Sequence, residues 1–391
     1  MEKITDSQIK DFLSRGIENV YPAPAEFSAR LAQSQPLKIY WGIDPTGPTL
    51  HLGHLSIMLK LKELQALGSE IIVLIGDFTA QIGDPTDKGE ARKVLTHEQV
   101  LTNCRLYKKQ IGQILDVKKV KFVYNSHWLK KLNFSQILEI ASEFTLGQVV
   151  ERDMFQERIK ANKPIFLHEF MYPLMQGYDS IQLGVDAEIG GNDQTFNMLT
   201  GRTMMKKRGK EKFVITTKLL VDPTGKKMGK SEGNMVMFTD EPNDVYGKVM
   251  SWSDEMMPLS FEICTKLPEE KIATIIKVGP RDAKMVLAKE IVRIMFSETK
   301  AKKAEKYFID TFQKREVPEE VQEIKASVGE LLAEVLVKEN VIASKSEFKR
   351  LVLGRGLAFE SGEPIVDLFQ KIIKTTTFKV GKKRFIKVIV D

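Results

Sequence analysis

Apolar and polar positions along the first half of the chain switch between two periods. LKIYWGI at 37–43 is a β-branched and aromatic run and predicts a strand. A turn, DPTGPTLHLGH, follows, and LSIMLKLKELQAL then repeats apolar residues at helical spacing. EIIVLIGDFTAQIGDP opens on a continuous apolar run, the mark of a strand buried on both faces of a parallel sheet. THEQ at 96–99 predicts a capping box, with Thr96 as cap and Gln99 at the third position, opening a helix that reaches about Leu115. KVKFVY at 119–124 predicts another strand, and helices are expected over 127–161 and 167–179. SIQLGVD reads as a short strand and 192–207 as a helix. Strands alternating with helices predict an α/β fold, a Rossmann-like doubly wound parallel sheet over residues 1–222.

The pattern changes near residue 223. DPTGKKMGKSEGNMV is a Gly- and Lys-rich connection, assigned to 223–243. Residues 244–318 read as helical without a strand, KREVPEEVQE as a polar linker, and 330–391 as a small α+β domain. That last sixth carries 12 Lys and Arg against 8 Asp and Glu, more than half of a net charge of +7. A basic tail permits a polyanionic partner. No apolar run approaches the roughly 18–20 residues of a membrane span, and the start, MEKITDSQIKDF, lacks the apolar core of a signal peptide. The two cysteines, Cys104 and Cys264, match no metal or redox spacing. The expectation is a cytoplasmic protein with no disulfide framework, no dedicated metal site and no membrane partner.

Two sequence motifs carry phosphate chemistry. His51-Leu52-Gly53-His54 stands between a strand and a helix. Gly53 lets a ligand approach the backbone, the helix start offers free N–H groups, and two imidazoles can donate to phosphate oxygens as charge builds there. Upstream, Asp44 and Thr46 supply a polar turn. Lys226 to Ser231, KKMGKS, is a glycine-flanked loop whose lysines can close over a triphosphate. A third constellation is Tyr172, Gln176 and Asp179, at i, i+4 and i+7, which share one helix face. A polar stripe there is costly unless paired; one carboxylate, one amide and one phenol facing a pocket can bind an ammonium and a phenolic hydroxyl. The fourth, Gly190-Gly191-Asn192-Asp193-Gln194, suits close approach of a ligand, with Asp193 toward ribose hydroxyls. Basic residues from Lys88 to Arg92 are further candidates for holding pyrophosphate.

HLGH and KMGKS resemble the two signatures of class I aminoacyl-tRNA synthetases. The wider stretches YWGIDPTGPTLHLGHL, IGDPTDK, HEFMYPLMQGYD, GGNDQTFN and KKMGKSEGN resemble the bacterial tyrosyl-tRNA synthetases over about 37–235. The resemblance implies activation of tyrosine by ATP to tyrosyl-adenylate and pyrophosphate, then transfer to the 3′ end of tRNA. It implies Thr46, His51, His54, Lys227, Lys230 and Ser231 as catalytic residues. Tyr40 and Asp179 would take the substrate hydroxyl; Asp84, Tyr172 and Gln176 would hold the α-ammonium, with Gln194 near the carboxylate. Gly42, Asp44, Gly53, His54, Gly191, Asp193 and Lys230 would bind ATP, which brings Mg2+ with it. The family is homodimeric, and 125–165 would supply the interface. Residues 244–318 would bind the anticodon, and the tail resembles an S4-like RNA-binding module, with Lys345, Lys349, Arg350, Arg355, Lys382, Lys383 and Arg384 toward phosphates.

Three other readings remain. A tryptophanyl-tRNA synthetase shares the fold but is not expected to carry the Tyr172, Gln176 and Asp179 set. A small-molecule nucleotidyltransferase shares the H-x-G-H turn but lacks the helical domain and basic tail. A non-catalytic RNA-binding relative would bind tRNA without forming adenylate. Gly229 stands where the class signature has Ser, and Trp41 follows Tyr40 where many relatives have a smaller residue.

Overall fold

The computed structural model describes residues 4–33, 35–84, 95–222, 235–313, 321–354, 356–360, 363–381 and 384–390. Six strands, β1 (Ile17–Tyr21), β2 (Lys38–Ile43), β3 (Glu70–Ile75), β4 (Val120–Tyr124), β5 (Ala187–Gly191) and β6 (Phe213–Thr217), make one sheet in the order β1-β6-β5-β2-β3-β4. Neighbours are parallel except β1, which runs antiparallel to β6. All of β3 but Glu70 is buried, and so are all of β5 and β6, as strands covered on both faces must be.

The strand order locates the site. From β2 the chain builds outward through β3 to β4, then returns to lay β5 on the other side of β2 and β6 beyond it. The crossovers leaving β2 and β5 therefore diverge, and a crevice opens at the carboxyl ends of these two strands.

Several elements depart from the sequence reading. SIQLGVD is not a strand. The helix of 167–179 runs on as Leu167–Leu183, and Gly184, at φ 58°, ends it by donating to the Ser180 and Ile181 carbonyls. The strand comes after, as β5. The Thr96 capping box forms, but its helix stops at Cys104, and a separate short helix covers Tyr107–Ile111. The region 127–161 is four short helices, Ser126–Leu129, Phe134–Ser142, Leu146–Val150 and Asp153–Lys160, because Asn133 and Thr145 each cap a new start. Neither β1 nor β6 was legible by period; their pairing partners lie almost 200 residues apart.

The chain divides into two compact units, Met1–Glu298 and Thr299–Asp391. The first includes four helices beyond the sheet, Pro242–Met250, Met257–Cys264, Glu269–Val278 and Pro280–Met295. Arg15 ties the N-terminal segment to them, donating from Nε to the Glu262 carbonyl at 2.7 Å and from its other nitrogens to Phe261 and Leu267. In the second unit β7 (Gln322–Ala326), β8 (Leu357–Phe359), β9 (Thr376–Val380) and β10 (Arg384–Val390) form a sheet ordered β7-β10-β9-β8. β7 starts inside the stretch read as linker; its polar, alternating QEIKA buries only Ile324 and Ala326. The helices Leu332–Lys338 and Lys345–Leu353 complete a core around Leu332, Leu336, Phe348 and Ile386. Among the described residues no helix is long and apolar enough to cross a membrane.

Candidate active site

A cavity of about 320 Å³ lies at the diverging strand ends. It is lined by Tyr40, Gly42, Asp44, Thr46, His51, Gly53, His54, Asp84, Tyr172, Gln176, Asp179, Gly191, Asp193 and Gln194. These residues come from five segments that the fold brings to one place. Lys227, Lys230 and Ser231 fall outside the described residues, as does the 88–92 loop. The described flanks of the lysine loop, Leu219 and Leu220 before it and Met235 after it, all line the cavity. Beyond Met235 the chain runs beside the histidine turn: Leu52 N donates to the Val236 carbonyl and Phe238 N to that of Leu50, both at 2.9 Å.

The histidine turn is built by reciprocal capping. His51 is the cap of the helix Leu52–Ala66, and its Nδ1 accepts from Gly53 N at 3.2 Å. His54 Nδ1 in turn accepts from His51 N at 3.1 Å. An imidazole whose Nδ1 accepts carries its proton on Nε2. The His51 ring therefore keeps an Nε2–H donor, while His54 Nδ1 also lies 3.2 Å from the His51 carbonyl oxygen, to which it donates when protonated. The two rings, 4.0 Å apart between centroids, sit beside a helix N-terminus, a pairing suited to phosphate oxygens. The buried Trp41 packs on His54, with 6.0 Å between ring centroids.

Part of the lining collects acceptors. Tyr172 Oη donates to Asp44 Oδ2 at 2.9 Å, and Thr79 Oγ1 donates to Asp44 Oδ1 at 2.8 Å. Gly76 makes room for that carboxylate, since a Cβ there would meet Asp44 Oδ1 at 1.9 Å. With its proton so directed, Tyr172 presents lone pairs. Gln194 Nε2 donates to Asp84 Oδ2 at 2.7 Å, and Asn197 Nδ2 fixes the same amide by donating to Gln194 Oε1 at 3.1 Å. Gln176 Nε2 donates to Glu188 Oε1 at 2.9 Å. The Asp84 carboxylate, the Tyr172 hydroxyl and the Gln176 carbonyl match the three N–H groups of one primary ammonium.

The lining also buries a carboxylate, linked to Asp44 through Thr79 and Asn125. Asp179 is 2% exposed and accepts from Trp128 Nε1 at 2.7 Å and Asn125 Nδ2 at 3.2 Å. Burial pushes its carboxyl well above the usual range, while the two N–H donors pull it back. Tyr40, also fully buried, has its phenol pushed up by burial and by Glu188. Its hydroxyl lies 3.0 Å from Ser180 Oγ and not on Asp179. Ser180 also accepts from Lys212 Nζ at 2.7 Å. Lys212 is completely buried and pairs with Glu188; burial lowers its pKa, and Glu188 opposes that.

Trp128, Asn125, Thr79, Ser180, Glu188 and Lys212 escaped the sequence reading. Only Glu188 left a signal, an acid inside the otherwise apolar strand AEIGG, and such a residue requires a buried partner. Among the described residues no three His, Cys, Asp or Glu side chains converge as a metal site. In the second unit Lys345, Lys349 and Arg350 sit on the helix Lys345–Leu353. Arg384 opens β10 and donates to the Val341 carbonyl at 2.7 Å, so part of its fork holds the fold. Arg355, Lys382 and Lys383 lie outside the described residues.

Trp128→Phe deletes one of the two donors on Asp179 while keeping an aromatic ring. The ionised form loses support, so the carboxyl titration is expected to move to higher pH. Carbon-13 NMR of aspartate-labelled protein, with Asp179→Asn to assign the signal, checks this. An unmoved or lowered titration contradicts the donor's role.

The family model of class I tRNA synthetases (W and Y) matches residues 32–313. A tyrosine–tRNA ligase of Carboxydothermus hydrogenoformans is 41% identical over 97% of both chains. One of Haemophilus ducreyi is 43% identical, again over 97% of each. Among solved structures, the tyrosyl-tRNA synthetase of Archaeoglobus fulgidus in complex with L-tyrosine is similar in fold, with TM-score 0.61 and 24% identity over 76% of this chain and 99% of that one.

Proposed function

The chain belongs to the class I tRNA synthetases of the tryptophan and tyrosine family, and from its cavity we propose that it is a tyrosine–tRNA ligase. The observation that carries the choice of amino acid is the buried Asp179, which lines the same cavity as Tyr40 and three acceptors for an ammonium. A phenol can donate to the Asp179 carboxylate. The relatives' names support the same assignment.

In the first step a tyrosine carboxylate oxygen attacks the α-phosphorus of ATP. The bond to the β-phosphate bridge breaks, and tyrosyl-adenylate and pyrophosphate form. No protein nucleophile takes part. Asp84, Tyr172 and Gln176 hold the α-ammonium, which fixes the carboxylate for in-line attack. His51 and His54 donate to phosphate oxygens as charge moves there, with Thr46 beside them. Lys227, Lys230 and Ser231 join them from the loop whose two flanks line the cavity. Gly42, Gly53 and Gly191 allow close approach of the nucleotide, with Asp193 on ribose and Asp44 holding Tyr172. Mg2+ arrives with ATP as its counter-ion, and no residue set of this chain is assigned to it. In the second step the terminal ribose hydroxyl of tRNA attacks the tyrosyl carbonyl and releases AMP.

Residues 244–318 form the anticodon-binding part of this reading, and the tail from 330 an S4-like RNA-binding module. Lys345, Lys349 and Arg350, exposed along one helix, support it. Lys349→Ala with Arg350→Ala is expected to raise the KM for tRNA several-fold and flatten its salt dependence, while leaving amino-acid activation untouched. The short helices of 125–165 carry exposed Phe134, Leu138, Leu146 and Ile159, and these apolar side chains support a homodimer interface. Sedimentation velocity reads that directly. A tRNA substrate fits a cytoplasmic site of action.

ATP–pyrophosphate exchange with each amino acid in turn tests the reading. Exchange with tyrosine alone is expected. Exchange with tryptophan alone overturns the pocket assignment and keeps the class. Absence of exchange with any amino acid, from folded protein, overturns the enzymatic reading in favour of an RNA-binding relative.

A further inference from the structure

The mechanism above leaves the buried ion pair of Lys212 and Glu188 unused. Lys212 lies just ahead of β6 and Glu188 on β5, and both side chains are within 2% of full burial. The Lys212 ammonium donates to Glu188 Oε2, to Ser180 Oγ at 2.7 Å and to the Met198 carbonyl at 3.2 Å, which uses its three hydrogens. Glu188 lines the cavity and spends its other oxygen on Gln176 Nε2 at 2.9 Å.

A primary amide can turn either end toward a ligand, and its neighbours decide which. An ionised carboxylate only accepts, so Glu188 requires the amide nitrogen of Gln176 and leaves the carbonyl oxygen for the cavity. Turned over, Gln176 would set its oxygen against Glu188 and its N–H groups against the substrate's ammonium. We propose that Glu188, held by Lys212, is a positioning residue that orients the Gln176 amide so that its oxygen receives the substrate's α-ammonium. The pair thereby sets discrimination for a free amino group, with no contact of Lys212 to the substrate. The inference rests on the tyrosine reading of the cavity.

The alternative is an ion pair that serves the fold alone. Glu188→Met with Lys212→Met separates the two, because it removes both charges at similar volume and frees Gln176 to turn. Two ligands are compared in tyrosine-dependent exchange: tyrosine, and 3-(4-hydroxyphenyl)propionate as a competitor that lacks the amino group. The KM for tyrosine is expected to rise roughly tenfold or more, the scale of a lost hydrogen bond to a charged group. The inhibition constant of the desamino acid is expected to rise clearly less than that KM, since the pair reaches its phenol only through Ser180 and Tyr40, and the KM for ATP to stay within about twofold; kcat falls with the loosened carboxylate. Gln176→Met alone is expected to give the same split, and adding it to the double variant to cost nothing further. Should the double variant not fold, Glu188→Gln with Lys212→Met keeps an amide at 188 and is expected to show a smaller split in the same direction. Equal weakening of tyrosine and the desamino acid, or no change in either, overturns the proposal. Wild-type protein that shows no exchange with tyrosine overturns the functional reading instead.

Discussion

Three acids, Asp84, Asp179 and Glu188, line one crevice, Lys212 is buried against Glu188, and each must find partners there. An unpartnered buried ion costs several kcal/mol, enough to unfold an ordinary domain's margin of stability. Each is therefore held by named groups: Asp84 by Gln194, Asp179 by Trp128 and Asn125, Glu188 by Lys212 and Gln176. Partners that neutralise an ion also aim it. The amides of Gln176 and Gln194 have one orientation each because a carboxylate faces their nitrogen. The chemistry of the cavity follows: acceptors, a buried acid, a phenol and two imidazoles share one lining.

The sheet makes this convergence attainable. β2 and β5 are neighbours in space and nearly 150 residues apart in sequence, and their helices leave in opposite directions. Tyr40 on β2, Glu188 on β5 and Asp179 on the intervening helix Leu167–Leu183 can then share one volume. That helix packs closely on Thr195–Lys207, where Gly177 and Gly201 face one another; a Cβ on Gly177 would meet the Gly201 backbone at 3.3 Å. The approach brings Ser180 and Lys212 within reach of each other and so joins the ion pair to the Tyr40 hydroxyl.

Residues whose chemistry is local were readable from the chain. The histidine turn, the Thr96 capping box and the stripe of Tyr172, Gln176 and Asp179 each depend on spacing within one element, and the cavity gathers every described residue singled out for it. What escaped depends on pairing across the fold. Trp128 and Asn125 support Asp179 from more than 50 residues away, in a segment whose short helices conceal any period. Lys212 resembles any other lysine in a charged stretch until β6 lies beside β5. The strand misread at SIQLGVD fails for a similar reason: its apolar residues suit either period, and Gly184 decides by ending the helix there.

The proposed tyrosine ligase relies on Asp179 to select a phenolic hydroxyl. The most direct measurement is the ratio of kcat/KM for tyrosine to that for phenylalanine in ATP–pyrophosphate exchange, for wild-type protein and for Asp179→Ala. A large wild-type ratio that collapses by two orders of magnitude or more, mainly through loss of tyrosine activity, is the expected result. A site built to bond a hydroxyl rejects the analogue lacking it by about 10⁴–10⁵, a general range whose own reference case is a tyrosyl-tRNA synthetase rejecting phenylalanine. A ratio that Asp179→Ala leaves unchanged would contradict the account.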